Sequence, residues 1–291
     1  MDKEEAQRLL DERVERRRAR DFEAADNIRQ RLRDGGWEAV DSPSGSELQA
    51  IRPQSAATSA PMARAVTLLT IVHGWLPDVE RWLLSVFTHS KGDFEAVVVD
   101  NSGDPRIAGA LARRAAERLR VLSLESTLGW AAAANAGVEA AAGQVVILLD
   151  PGVELNGDAA SVLVKALDDP TVVVAGPFGL RGKGTLKEFE ESAGPEVDAV
   201  EGYCMAFRRA DALAIGSFDP KFRFYRMADV ELSFRLRDRG GRAVVVAAPV
   251  ERHEHRLWEA TDPTERDRLS RRNMYRFLDR WREREDLLVG Q

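Results

Sequence analysis

The chain has 291 residues, of which 44% are hydrophobic and 31% charged, with a formal net charge of -6 and a pI near 5.5. These values describe a globular protein of one large domain or two small ones, and the acidic balance argues against a nucleic-acid-binding surface. The one cysteine, Cys204, excludes an internal disulfide and a cysteine metal cluster.

The charged N-terminal stretch lacks a signal-peptide core, and no apolar run is long enough to span a membrane. A cytoplasmic protein is expected, with peripheral attachment to the inner membrane face left open.

Residues 1–52 read as a helical hairpin with a small β appendage. Leu9, Leu10 and Val14, then Phe22, Ala25, Ile28 and Leu32, recur at helical spacing. Asp21 is placed to cap the second helix, and Gly35-Gly36 to end it. Trp37 opens a short extended piece and a turn. Arg16, Arg17, Arg18 and Arg20 form a basic patch, but Asp11, Glu12, Glu15 and Asp21 surround it, as on a solvated, salt-bridged helix face. Residues 53–65, rich in Pro, Ser, Thr and Ala, read as a flexible linker.

From Val66 onward strands and helices alternate. Val66–Val72, Ala96–Val99, Val121–Leu124 and Val145–Leu149 read as strands. Val79–Phe87, Ile107–Arg118 and Ala131–Ala142 read as helices. The β-α-β order predicts an α/β domain, 66–291, with a mostly parallel sheet and right-handed crossovers. Ligands of such sheets bind at the carboxyl ends of the strands. His73, Asp100 and Asp150 all follow strands and so are candidates to share one cleft. Each acid could instead cap a turn. Gly179-Leu-Arg-Gly-Lys-Gly-Thr185 lacks the spacing of a phosphate-binding P-loop and reads as a loop over the cleft. No G-x-G-x-x-G follows the first strand, which argues against a dinucleotide oxidoreductase.

Four blocks, in order, carry a resemblance. They are VTLLTIVHGWLPDVERWLLSVFTHSKGDFEAVVVDNSGD, LGWAAAANAGVEAAAGQVVILLDPGVEL, EGYCMAFRRADALAIGSFDPKFRFYRMADVELSFRLRDRGGRAVVV, and RHEHR followed by SRRNMYRFLDRWRE. Together they resemble family-two glycosyltransferases of the GT-A type. The resemblance implies the Rossmann-like GT-A fold of nucleotide-diphospho-sugar transferases. It also implies transfer of a sugar, with inversion, from a nucleotide-diphosphate sugar to a hydroxyl of a glycan, lipid-linked or protein acceptor. Asp229 matches the catalytic base, with capping of the helix that begins beside it as the alternative. His73, Asp100, Asn101, Asn135 and Asp150 match nucleotide-sugar-binding positions.

The departures bear on the metal. The resemblance implies a divalent cation, Mn²⁺ or Mg²⁺, held at the last position of the DXD segment, but Asp150-Pro151-Gly152 ends in glycine. Asp150, His253 and His255 are then the candidate ligands, with Glu154 as a further acid able to compensate and Lys183 and Lys187 as alternative sources of positive charge. Ala228 stands where an acid usually precedes the base. A rebuilt metal site, a metal-independent enzyme and an inactive nucleotide-sugar-binding protein all remain open.

The hairpin stretch ERRRARDFEAADNIRQRLRDGGWEAVDSPSGSELQAIR resembles the C-terminal anticodon-region segment of cysteinyl-tRNA synthetases. The synthetase catalytic domain is missing, so aminoacylation is not expected. The resemblance implies contact with the anticodon end of tRNA, whereas the acids around the basic patch favour docking to a protein partner or dimerisation over tRNA contact. A tRNA- or synthetase-associated factor is the third reading.

Overall fold

A computed structural model describes residues 3–19, 21–34, 37–42, 45–50, 64–114 and 117–290. The chain divides into two units, Met1–Pro61 and Met62–Gln291.

In the first unit, helices α1 (Lys3–Arg18) and α2 (Phe22–Asp34) precede the antiparallel strands β1 (Trp37–Ser42) and β2 (Gly45–Ala50). Asp21 accepts a hydrogen bond from the Ala24 amide, as expected of an N-cap. Ala6, Leu9, Leu10, Ile28, Leu32 and Ala39 make a small core, partly covered by Trp37 and Leu48. Arg16 pairs with Glu12 and Asp21 on the exposed face. Gly35-Gly36 and most of the expected 53–65 linker lie outside the described residues. Arg64 and Ala65 already belong to the next strand.

The second unit begins with β3 (Arg64–Val72), α3 (Leu76–His89), β4 (Phe94–Asp100), α4 (Pro105–Ala112), β5 (Leu119–Ser123), α5 (Trp130–Ala140) and β6 (Gly143–Leu149). Then come β7 (Val153–Leu155), α6 (Ala159–Ala166), β8 (Val172–Gly176), β9 (Gly179–Gly182), β10 (Phe189–Ser192), β11 (Glu196–Val197), β12 (Ala199–Val200) and β13 (Cys204–Arg208). The chain ends through α7 (Arg209–Ala214), α8 (Ala228–Arg237), β14 (Arg242–Val245), β15 (Val250–Arg252), α9 (Arg256–Ala260) and α10 (Pro263–Trp281).

An eight-stranded sheet of order β11-β14-β8-β13-β6-β3-β4-β5 organises the unit. β3 runs parallel to both β4 and β6, while β13 enters antiparallel between β6 and β8. Alternate residues of β3 serve opposite faces: Leu69 and Ile71 pack with α5, α8 and α10, and Leu68 and Val72 with α3 and α6. Gly137 lets α5 lie close on the sheet, since a Cβ there would sit 2.4 Å from a Leu69 methyl.

The expected helix 107–118 is shorter. Arg113 and Arg114 form a turn, and the Arg118 carbonyl already accepts from the Ala96 amide. Leu111 is the last residue of α4 to reach the core, so packing does not carry the helix further. The glycine-rich stretch is a hairpin arm: β9 pairs with β10 and with β12. Gly179 packs against the Val245 and Val197 side chains, which anchors it.

β4 and β6 flank β3 on opposite sides, so successive connections diverge around β3. This switch point opens a crevice at the carboxyl ends of β3 and β6. His73 follows β3 and Asp150 follows β6. Among the described residues no helix is long and apolar enough to cross a membrane.

Candidate active site

A cavity of about 450 Å³ opens there, within the range of small-molecule sites. His73, Asp150, Asp229 and His255 line it, from four separate parts of the chain.

Asp229 sits in the first turn of α8, inside the helix, and the cap position belongs to Met227 at φ 68°. Trp75, before α3, has φ 55°. Both residues hold a left-handed backbone and both line the cavity, where strained backbone often serves a function. The Asp229 carboxylate accepts from the Gly202 amide at 2.7 Å and from the Val230 amide at 2.9 Å. Burial raises its pKa, against the pull of those amides and of Arg226. It is a fixed carboxylate with strengthened basicity.

Glu201 and Tyr203 bracket Gly202 and also line the cavity. Burial and the neighbouring Asp229 charge push Glu201 up to about 7, although Arg252 and Arg226 oppose this. Arg252 lies 3.4 Å from Glu201 and stacks over Tyr203.

Asp150 receives the Gly152 amide at 2.7 Å and lies 3.2 Å from His255 Nε2. Burial raises its pKa and His255 lowers it. His255 stacks on Tyr225 at 4.0 Å and meets Tyr203 edge-on. Its Nδ1 accepts from the Trp258 amide as the N-cap of α9. A neutral imidazole carries one N–H, so that proton sits on Nε2, facing Asp150.

His73 is held below its ordinary pKa, at about 4, by burial and by His255. Its Nδ1 faces the Asn101 amide nitrogen at 3.5 Å. Asn101 is fixed by Leu128, accepting from its amide at 2.7 Å and donating to its carbonyl at 3.0 Å. Nδ1 is thus the acceptor and Nε2 the donor. Nε2 is buried without a protein partner, so a ligand acceptor would satisfy it.

Asp100, Asn135 and Lys183 stand outside the cavity lining. Asp100 accepts from the Ser102 amide and hydroxyl. Asn135 clasps the amide and carbonyl of Phe218, both at 2.8 Å. Lys183 pairs with Glu188, whereas Lys187 lines the cavity.

The three candidate metal ligands do not converge. β15 ends at Arg252, and His253 turns to Glu154 at 3.0 Å, off the cavity. His255 presents a proton to Asp150, whereas a metal-bound imidazole gives its lone pair to the ion and its proton to an outer acceptor. Here the outer neighbour, the Trp258 amide, is itself a donor. Gly152 is closed: a Cβ there would lie 2.7 Å from the Glu254 carbonyl oxygen and 2.9 Å from Asp150 Oδ1. Among the described residues no three His, Cys, Asp or Glu side chains form a group able to hold a metal. These residues do not fit a resident divalent cation.

Several lining residues escaped the sequence reading. Asp78, in the first turn of α3, is buried and bonds Arg81 at 2.9 Å and Arg256 at 2.8 Å. In sequence it resembles an ordinary helix-start acid, because Arg256 lies far along the chain. Trp75, Glu201, Tyr203, Tyr225 and Arg226 had no isolated signal beyond lying in the quoted blocks.

The family model described as Glycosyl transferase family 2 matches residues 68–232. No curated protein sequence matches the chain significantly. Among solved structures, the fold is similar to a crystal structure of GalNAc-T7 with UDP, GalNAc and Mn²⁺, at TM-score 0.62 and 17% identity, over 77% of this chain and 49% of that one. It is also similar to the mannosyltransferase PcManGT from Pyrobaculum calidifontis in complex with GDP-Man and Mn²⁺, at TM-score 0.56 and 18% identity, over 81% of this chain and 72% of that one. The chain thus spans about half the length of the first of these structures.

Proposed function

Because the chain belongs to glycosyl transferase family 2, we propose that its cavity binds a nucleotide-diphosphate sugar and that Asp229 activates an acceptor hydroxyl for inverting transfer. One observation carries the reading: a half-buried carboxylate of raised basicity, fixed by two backbone amides, lines the cavity that opens at the sheet's switch point.

In this mechanism the acceptor oxygen gives its proton to Asp229 as it attacks the anomeric carbon. The new C–O bond forms while the bond to the diphosphate breaks. The nucleoside diphosphate leaves with that electron pair, and the anomeric centre inverts. Such base assistance contributes roughly 10²–10⁴-fold. His73, neutral and with its Nε2 proton unspent, would meet an acceptor on the donor nucleotide. The Asp150–His255 pair would lie against the sugar-diphosphate end. UDP and GDP in the two similar structures make these nucleotides the first donors to test.

Thermal-shift screening of UDP- and GDP-sugars should find a stabilising donor. Incubating that donor with candidate acceptors should then give a product of inverted anomeric configuration, read by NMR. Retention of configuration would remove the single-displacement role of Asp229. Stabilisation without turnover across acceptors would favour the inactive binding protein, a reading that Ala228 and the closed Gly152 position keep in view.

A further inference from the structure

The cavity's charges can be followed pair by pair. Asp78 is neutralised by Arg81 and Arg256. Glu188 pairs with Lys183, and Glu191 and Glu201 share Arg252. Asp150 is bound to His255. Of the lining charges, Asp229, Lys187 and Arg226 have no ion-pair partner among the described residues.

Among the described residues, neither Lys187 nor the Arg226 guanidinium has an acid within ion-pair distance. The Arg226 guanidinium lies 5.5 Å over the Trp258 ring. Its charge reaches Glu201, Tyr203, Tyr225 and Asp229, lowering the pKa of each against the effect of burial. It lines the same cavity as the carboxylate assigned to the reacting centre. A diphosphate leaving group is attached to the same anomeric carbon that Asp229 serves.

We infer that this cavity binds a nucleoside diphosphate without a divalent cation, and that Arg226, helped by Lys187, supplies the positive charge that stabilises the leaving group. The inference rests on reading the cavity as a nucleotide-sugar site. Its basis is the donor chemistry described above, in which the Gly152 position is sealed, His255 has committed its lone pair to Trp258, and His253 has turned away. A guanidinium offers several fixed N–H donors matched to phosphate oxygens, and a lysine adds a point charge. Preorganised cations of this kind stabilise charge that develops in the transition state.

The test is calorimetry of the full chain with UDP and with GDP, each in EDTA and in Mn²⁺, repeated on Arg226→Gln and Lys187→Gln. Both side chains are exposed, and circular dichroism would verify folding. The inference expects one nucleotide to bind equally well in EDTA and in Mn²⁺. It also expects Arg226→Gln to weaken that binding about tenfold or more, the scale of a lost charge-assisted hydrogen bond. Binding that requires Mn²⁺ would overturn the inference and leave the nucleotide site standing. So would unchanged affinity in both variants. No binding of either nucleotide in either condition would overturn the nucleotide site, and the inference with it.

Discussion

The Nε2 nitrogen of His255 lies 3.2 Å from Oδ2 of Asp150, with its proton directed at the carboxylate. Two residues that sequence reasoning places together as metal ligands thus satisfy one another. His255 is buried, stacked on Tyr225 and fixed from behind by the Trp258 amide, and Asp150 is half-buried. This arrangement joins the end of β6 to the start of α9.

Restoring an acid to the segment should therefore fail. In Gly152→Asp the new Cβ would meet the Glu254 carbonyl at 2.7 Å. Overpacking of this sort costs roughly 1–3 kcal/mol. The variant should melt several degrees below the parent, and Mn²⁺ should not recover the difference. Recovery by Mn²⁺ would mean that the segment can open into a metal site.

Asp229→Asn should lower kcat by about 10²–10⁴-fold while nucleotide affinity holds. The asparagine keeps the shape and can still accept the Gly202 amide, but it cannot take a proton. In the parent, burial lifts the Asp229 pKa, so the rate should rise as pH climbs through a value above the ordinary carboxylate range. A pH profile flat across that range, or turnover unchanged in the variant, would remove Asp229 from the role of base.

Glu201 gives a stability signature. Its pKa moves from the usual 4.5 to about 7, chiefly by burial. A raised folded-state pKa contributes stability that is fully present below 4.5 and is lost as pH rises through about 7. Glu201→Gln removes that titration. Melting temperature followed across this window should fall more steeply in the parent than in the variant. Parallel curves would show that Glu201 titrates normally.

What the sequence revealed and what it hid divide along chain distance. The strands of the sheet were legible because apolar β-branched runs end in polar residues, and that placed His73 and Asp150 at the rim. Its block brought Asp229 forward, and that residue lines the cavity. Contacts between distant segments were not, because no local pattern encodes them. Asp78 meets Arg256 across 178 positions, and Gly152 is sealed by the backbone of residue 254. Helix 107–118 was overread because local propensity favours Arg113 to Glu117, whereas pairing of β4 with the chain at Arg118 demands extension. The clasp of Asn135 on Phe218 was hidden for the same reason, since the two residues lie 83 positions apart.

That partner leads to a separable prediction for Asn135. The residue matches a nucleotide-binding position in sequence, yet its amide both donates to and accepts from the backbone of Phe218 at 2.8 Å. The Phe218 ring is buried and meets Trp130 edge-on at 5.2 Å. The clasp thus holds the segment ahead of α8 against α5. In Asn135→Ala two backbone groups lose their partner at once, which costs on the order of 2 kcal/mol or more. The loss should appear as a lower denaturation midpoint with nucleotide affinity unchanged at temperatures where the variant is folded. A nucleotide that binds tenfold more weakly to a fully folded Asn135→Ala protein would return this residue to the binding site.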